Sequence, residues 1–227
     1  MTDLFLWAAF PYACVAVAVV GFAWRLGPAR RTVGSRSSQF LEGRALFWGS
    51  VPWHHAILCV LAAHLGAVLF PGAFGRLLGD PRRLALAEMT GLALGGASVA
   101  ACAVLAARRL GSARLRVTTT PPDVAVLALL LLQVATGVYV AATLRWGSVW
   151  YLHTAVPWLR SLAHLSPEVE LVALLPPAVK IHALSAFALL ALAPYSRLVH
   201  AVVAPVSYLW RAPQVVVWNR RRGARAA

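Results

Sequence analysis

The stretch LFLWAAFPYACVAVAVVGFAW, residues 4–24, carries no charged side chain. An uncharged apolar run of about 20 residues is what a helix needs to cross the hydrocarbon of a bilayer. Four more predominantly apolar runs of sufficient length follow, at about residues 45–70, 84–107, 124–144 and 178–203. Backbone amides in hydrocarbon must be paired within their own segment, which makes these runs helices rather than loops. The period-2 alternation of a membrane barrel is missing. With 60% hydrophobic and 12% charged residues, the composition leaves no room for a separate soluble domain. The expectation is all-α: a five-helix transmembrane bundle forming one domain over residues 1–227, with a basic tail at residues 205–227.

A net charge of +14 suggests nucleic acid, but its distribution argues for a membrane. Fifteen of the 21 cations, among them Arg25, Arg36, Arg44, Arg108, Arg109, Arg114, Arg116, Arg197 and the tail arginines, fall on one side if the spans alternate. The other side keeps Arg76, Arg82, Arg83, Arg145, Arg160 and Lys180. The positive-inside rule then puts the N-terminus outside and the C-terminus in the cytoplasm. The first run has Asp3 before it and arginines after it, which is the pattern of an anchor rather than a secretory leader. Cys14, Cys59 and Cys102 all fall within spans, and no Cys-x-x-Cys-His occurs, so covalent c-type haem attachment is excluded.

Seven histidines punctuate this chain: His54, His55, His64, His153, His164, His182 and His200. Imidazoles inside membrane helices are costly and point to function, and neutral imidazole is an axial ligand of haem iron. Two helices carrying two each match two bis-histidine haems stacked across a bilayer. At about 100° per residue, His55 and His64 lie on nearly opposite faces, whereas His54 and His64 are about 80° apart and address a shared interior. His182 and His200, eighteen residues apart, share one face. Antiparallel spans two and five pair His54 with His200 near the cytoplasm and His64 with His182 near the outside. The rises, about 15 Å and about 27 Å, do not match for straight helices. Pro194 is placed to bend the fifth helix and shorten its reach. Gly95 and Gly96, with Gly91 a turn earlier, offer a shallow face for a macrocycle. Arg36, Arg114, Arg116 and Arg197 are candidate cations for its propionates. His153 and His164, in an apolar outer connection, are not expected to be ligands.

The stretches SSQFLEG, HHAILCVLAAH, GGAS, RLRVTTTPPDVAVLALLLLQVATG and KIHALSAFALLALAPYSRLVHAVVAPVSYLWR resemble, in order from about Pro11 to Arg211, the gamma subunit of respiratory nitrate reductases, a membrane cytochrome b. The resemblance implies five membrane helices with the C-terminus inside and two non-covalent b-type haems. Their iron ligands would be His54 and His200 at the inner haem, and His64 and His182 at the outer. It implies that quinol is oxidised near the outer haem, with protons leaving outside. Electrons would pass inward to an iron–sulfur subunit and a molybdopterin catalytic subunit on the cytoplasmic face. Family members carry a lysine early in the third helix that assists quinol binding. DPRRLALAEMTG has none: Ala87 falls roughly there, with Glu88 beside it. Glu88 and His64 are therefore the quinol-site candidates, and reverse electron flow stays open. With no nucleophile–base pair or phosphate loop, the chain by itself carries no substrate-reducing site. The alternatives are a haem b subunit of another quinone-linked complex, of the sulfite-reduction or heterodisulfide-reductase type, or a haem-free anchor or transporter.

Overall fold

Pro81 and Pro121 open two of the membrane helices, each just after a residue that can cap one. Proline suits the first helical position because the amide it lacks has no intrahelical partner there. Asp80 accepts the amides of Arg82 and Arg83, both at 3.0 Å. Thr120 and Asp123 form a reciprocal capping box, in which Asp123 Oδ2 accepts the Thr120 amide at 3.1 Å. The computed structural model describes residues 1–29, 44–144 and 147–202. Five helices in it are long and apolar enough to cross a membrane: Thr2–Leu26, Ala45–Leu69, Pro81–Gly111, Pro121–Thr143 and Pro177–Tyr195. They are spans one to five below. Among the described residues there is no strand. Arg36 and the basic tail lie outside the described residues.

The spans pack in the order two, three, four, five, one, and spans two and five are not a tightly packed pair. Trp53, Ala101, Cys102 and Val134 bury against one another where spans two, three and four meet. Only 11% of span four's most apolar window is buried within the protein, so its apolarity does not serve an internal core. Val19, Val20, Phe47, Leu86 and Met89 are more than half exposed. In water each such side chain would forgo about 1.5–3 kcal/mol of burial; against lipid they need no cover. The chain is a multi-pass membrane protein.

One end of the bundle gathers the end of span one, the start of two, the end of three, the start of four and the end of five. There Arg25 Nε donates to the Pro194 carbonyl at 3.0 Å, and Asp123 binds both Arg109 and Arg197. The opposite end is closed by a connection the sequence marks only as apolar. From residue 147 to residue 163 it is helical, as Gly147–Trp150, a π-turn at Tyr151–Ala155 and Val156–Ala163. Proline explains a contact here. Pro11 has no amide to give the carbonyl four residues back, at Trp7. That carbonyl instead accepts Trp158 Nε1 at 3.0 Å, and the two indoles meet edge to face with centroids 5.7 Å apart.

Two local departures matter. The fifth span does not continue as one helix to residue 203: the α-helix Pro177–Leu192 tightens to a 3-10 turn at Ala193–Tyr195. The chain then extends at Ser196 and re-enters a 3-10 turn at Arg197–Ala201. Pro194 interrupts the ladder, as expected of proline in a helix interior. The other is Leu165, at φ 58°, which ends the connecting helix where glycine is usual. Its side chain is 79% exposed and contributes little burial. Leu165→Gly is expected to stabilise the protein by about 0.5–1 kcal/mol, since relief of left-handed strain outweighs glycine's extra unfolded-state entropy. A higher thermal midpoint in detergent is the readout.

Candidate functional site

At the arginine-rich end, His54 near the start of span two and His200 after the break in span five face each other. Their ring centroids are 6.0 Å apart, at 65°. His54 Nδ1 lies 2.7 Å from the Ser50 carbonyl, and His200 Nδ1 lies 2.5 Å from that of Arg197. A carbonyl only accepts, so Nδ1 carries the proton in both rings and Nε2 keeps its lone pair. This is the arrangement by which a second bond orients a metal-binding imidazole. Two metal–nitrogen bonds of about 2 Å, plus about 1 Å from each nitrogen to its ring centre, would set two imidazoles sharing one metal about 6 Å apart. The pair fits. Among the described residues no three His, Cys, Asp or Glu side chains gather to hold a bare ion. Two imidazoles suit an iron that brings four equatorial nitrogens with it.

Span four holds the segment that bears His200. Asp123 Oδ1 accepts Arg197 Nε at 2.7 Å, and Oδ2 accepts Nη2 at 3.1 Å. Arg109 Nη1, at the end of span three, lies 3.3 Å from Asp123 Oδ2. A bidentate guanidinium–carboxylate pair is directional as well as strong. Arg197, a candidate propionate partner, is thus committed to Asp123. Arg116 Nη1 donates to the Leu110 carbonyl at 2.9 Å, while Arg114 is exposed.

The histidines at the opposite end are arranged differently. His64 Nδ1 donates to the Val60 carbonyl at 2.8 Å, again leaving the Nε2 lone pair. Its ring packs edge-on to Tyr151 at 4.9 Å, and the Tyr151 hydroxyl donates to the His64 carbonyl at 3.3 Å. Burial pushes the Tyr151 phenol up to about 12, so it stays protonated and able to donate. His182 turns toward span four. Its Nδ1 lies 3.0 Å from the Gln133 carbonyl and 3.2 Å from Thr136 Oγ1. Its Nε2 lies 3.2 Å from Gln133 Nε2, and the Ser185 hydroxyl donates to Gln133 Oε1. Among the described residues no ring contact joins His64 to His182 as one joins His54 to His200. The polar groups of span four explain the difference, because polar side chains within membrane helices seek each other. The sequence reading passed over Gln133, Thr136 and Gly137; the signal was QVATG, polar and small residues interrupting an otherwise aliphatic span.

His55 bonds its own Val51 carbonyl at 2.8 Å, and no ring among the described residues packs against it. His153 is exposed, and His164 lines a cleft of about 350 Å³ with Arg160 and Glu168. Among the described residues no ion pair joins Glu88 to Arg82 or Arg83; Oε1 accepts the Ser148 amide at 3.0 Å, at the start of the connecting helix. The two adjacent glycines part company. A Cβ on Gly95 would come within 2.9 Å of Val138 in span four, while one on Gly96 or Gly91 would meet nothing within 4 Å. Gly95 is a helix-packing residue; the open face belongs to Gly91 and Gly96.

The profile of the family described as nitrate reductase gamma subunit matches residues 3–219 of this chain. The chain belongs to that family. The nitrate reductase gamma chain of Bacillus subtilis (strain 168) is 31% identical over 225 residues, 97% of this chain and all of that one. The respiratory nitrate reductase 1 gamma chain of Escherichia coli (strain K12) is 29% identical over 94% of this chain and 96% of that one. The nitrate reductase-like protein NarX of Mycobacterium tuberculosis (strain H37Rv) is 31% identical over 97% of this chain but only 34% of its own length. A nitrate reductase gamma subunit is one part of an oxidoreductase, and this one is its membrane-spanning part.

Proposed function

We propose that this gamma subunit is a di-haem b-type cytochrome that passes electrons between membrane quinol and soluble nitrate reductase subunits. The observation that carries it is the His54–His200 pair, two imidazoles in the tautomer a metal requires and 6.0 Å apart. They belong to spans that are not tightly packed partners. These two would hold the haem at the arginine-rich end, and His64 with His182 the haem at the other. Bound haem supplies a one-electron carrier at each level, and the protein supplies ligands, separation and a dry surrounding. The cation bias, counted over the whole chain, supports an orientation with the arginine-rich end in the cytoplasm, and the proposed role puts the subunit in the inner membrane. An iron–sulfur subunit and a molybdopterin catalytic subunit would dock on that face.

Quinol oxidation yields two electrons and two protons, and the protons need acceptors at the outer end. Glu88 is one: Oε1 is held by the Ser148 amide, leaving Oε2 for a proton. His64, the other quinol-site candidate, has no lone pair left for a proton once Nε2 holds iron, because its Nδ1 already carries one to the Val60 carbonyl; its part would be to receive the electron. The protonated Tyr151 phenol, bonded to the His64 backbone, fixes the helix turn from which that imidazole projects. Reverse flow, quinone reduction by the soluble subunits, uses the same groups with the proton steps inverted.

Purified protein, made with ample iron and haem precursor, is expected to show a b-type reduced-minus-oxidised spectrum and about two haems per chain, the count that two bis-histidine pairs imply. Colourless protein would overturn the proposal in favour of a haem-free anchor.

A further inference from the structure

Span four carries no histidine, yet among the described residues it supplies the hydrogen-bond partners of the His182 ring nitrogens. Three features meet there. The Gln133 carbonyl and the Thr136 hydroxyl both lie within hydrogen-bond distance of Nδ1, at 3.0 and 3.2 Å. Thr136 donates its own proton back along the helix to the Leu132 carbonyl at 2.7 Å, so toward His182 it acts as an acceptor. The third feature is Gly137, one residue on. A Cβ there would stand 2.9 Å from His182 Cε1 and 3.4 Å from Nδ1. That is too close for an sp³ carbon beside an aromatic ring, and the opposing atoms belong to a stiff imidazole rather than to a flexible side-chain tip.

We propose that Thr136 and Gly137 are positioning residues for the His182 imidazole, setting its orientation and electron richness as a metal ligand. The inference rests on the reading of His182 as a haem ligand and goes beyond it, because it assigns a role to a helix that supplies no ligand. The mechanism is second-sphere. An acceptor on Nδ1–H holds the ring in the tautomer with its lone pair on Nε2 and raises the basicity of that nitrogen. A more basic ligand favours the oxidised iron. The bond from the Gln133 carboxamide to Nε2 is the contact that metal binding replaces; those on Nδ1 persist. The other three histidines of the proposed set take their Nδ1 acceptor from their own helix turn. For His182 alone the acceptors lie across a helix interface, so its setting depends on how closely span four approaches.

The test uses the full chain, purified in detergent with haem, and three measurements: haem per chain, midpoint potentials, and the low-spin electron paramagnetic resonance signature of each haem. Gly137→Ala is expected to lower haem content from two per chain toward one, with the remaining haem unchanged in potential. Gly111→Ala, at the end of span three where a Cβ would meet nothing within 4 Å, is the control and keeps both. Thr136→Val is expected to keep both haems while raising the midpoint of the outer one, by up to a tenfold change in the one-electron equilibrium, which is 59 mV. Thr136→Ser is expected to restore it. Unaltered haem content, potentials and resonance signature in both Gly137→Ala and Thr136→Val would overturn the inference while leaving His182 as a ligand. If His182→Ala itself retains both haems, the ligand assignment fails and the inference with it. Should Gly137→Ala not fold, Thr136→Val decides alone.

Discussion

His182→Ala is expected to bind one haem in place of two, and to lose quinol-dependent nitrate reduction by at least a hundredfold. An artificial donor that reduces the soluble subunits directly should still support turnover. The chemistry is simple: an alanine offers no lone pair, and an iron left with one axial imidazole in an apolar span is held by half its protein bonds. The proposed partner, His64, cannot compensate from its own helix, since its Nδ1 is committed to the Val60 carbonyl. The matching variant at the other end, His54→Ala, should lose the other haem. It should leave quinol able to reduce the one that remains, with no onward delivery. His55→Ala separates a specific effect from a general one. That residue is adjacent in sequence, bonded in the same way to its own helix turn, and has no ring facing it among the described residues. It should retain two haems. Retention of both in His182→Ala would rule out the pairing.

Asp123→Ala is expected to destabilise the bundle by about 3 kcal/mol, near the low end for breaking a buried ion pair. The low end is apt because Arg109 and Arg197 keep 20% and 27% of their side-chain surface accessible. Asp123 itself keeps 5%, and it also caps span four through the Thr120 amide, so the substitution uncaps a membrane helix as well. The functional consequence should be local. Arg197 supplies the carbonyl that accepts His200 Nδ1–H, and Asp123 is what holds Arg197. Loss of the carboxylate should therefore loosen the haem at the arginine-rich end while sparing the other. Thermal unfolding in detergent measures the first effect, and separate haem potentials the second. Equal disturbance of both haems would show that Asp123 acts on the bundle as a whole and not through His200.

The legible and illegible parts of this protein divide by the distance over which residues act. His54 was separable from His55 by helical angle alone, and the structure places His54 against His200. The break after Leu192 was announced by Pro194, because proline's missing amide acts within a single turn. The two glycines looked equivalent in sequence. Only the position of Val138, 43 residues away, made Gly95 a packing residue and left Gly96 open. Arg197 reads in the sequence as a candidate cation for a propionate, and in the structure it is held by Asp123 from another span. Glu88 reads in the sequence only as a carboxylate in the third span, and the structure joins it to a backbone amide of the connecting helix.

The amino-acid order by itself determined the number of membrane crossings and the residues that bear imidazole inside them. Both follow from the cost of bringing polar groups into hydrocarbon, a cost each segment meets alone. Which ring meets which, and that His182 takes its Nδ1 acceptors from span four, were decided only by tertiary structure. Those contacts join residues about fifty positions or more apart, and their existence depends on how closely two helices can approach: at Gly137 that distance is set by one absent methyl group.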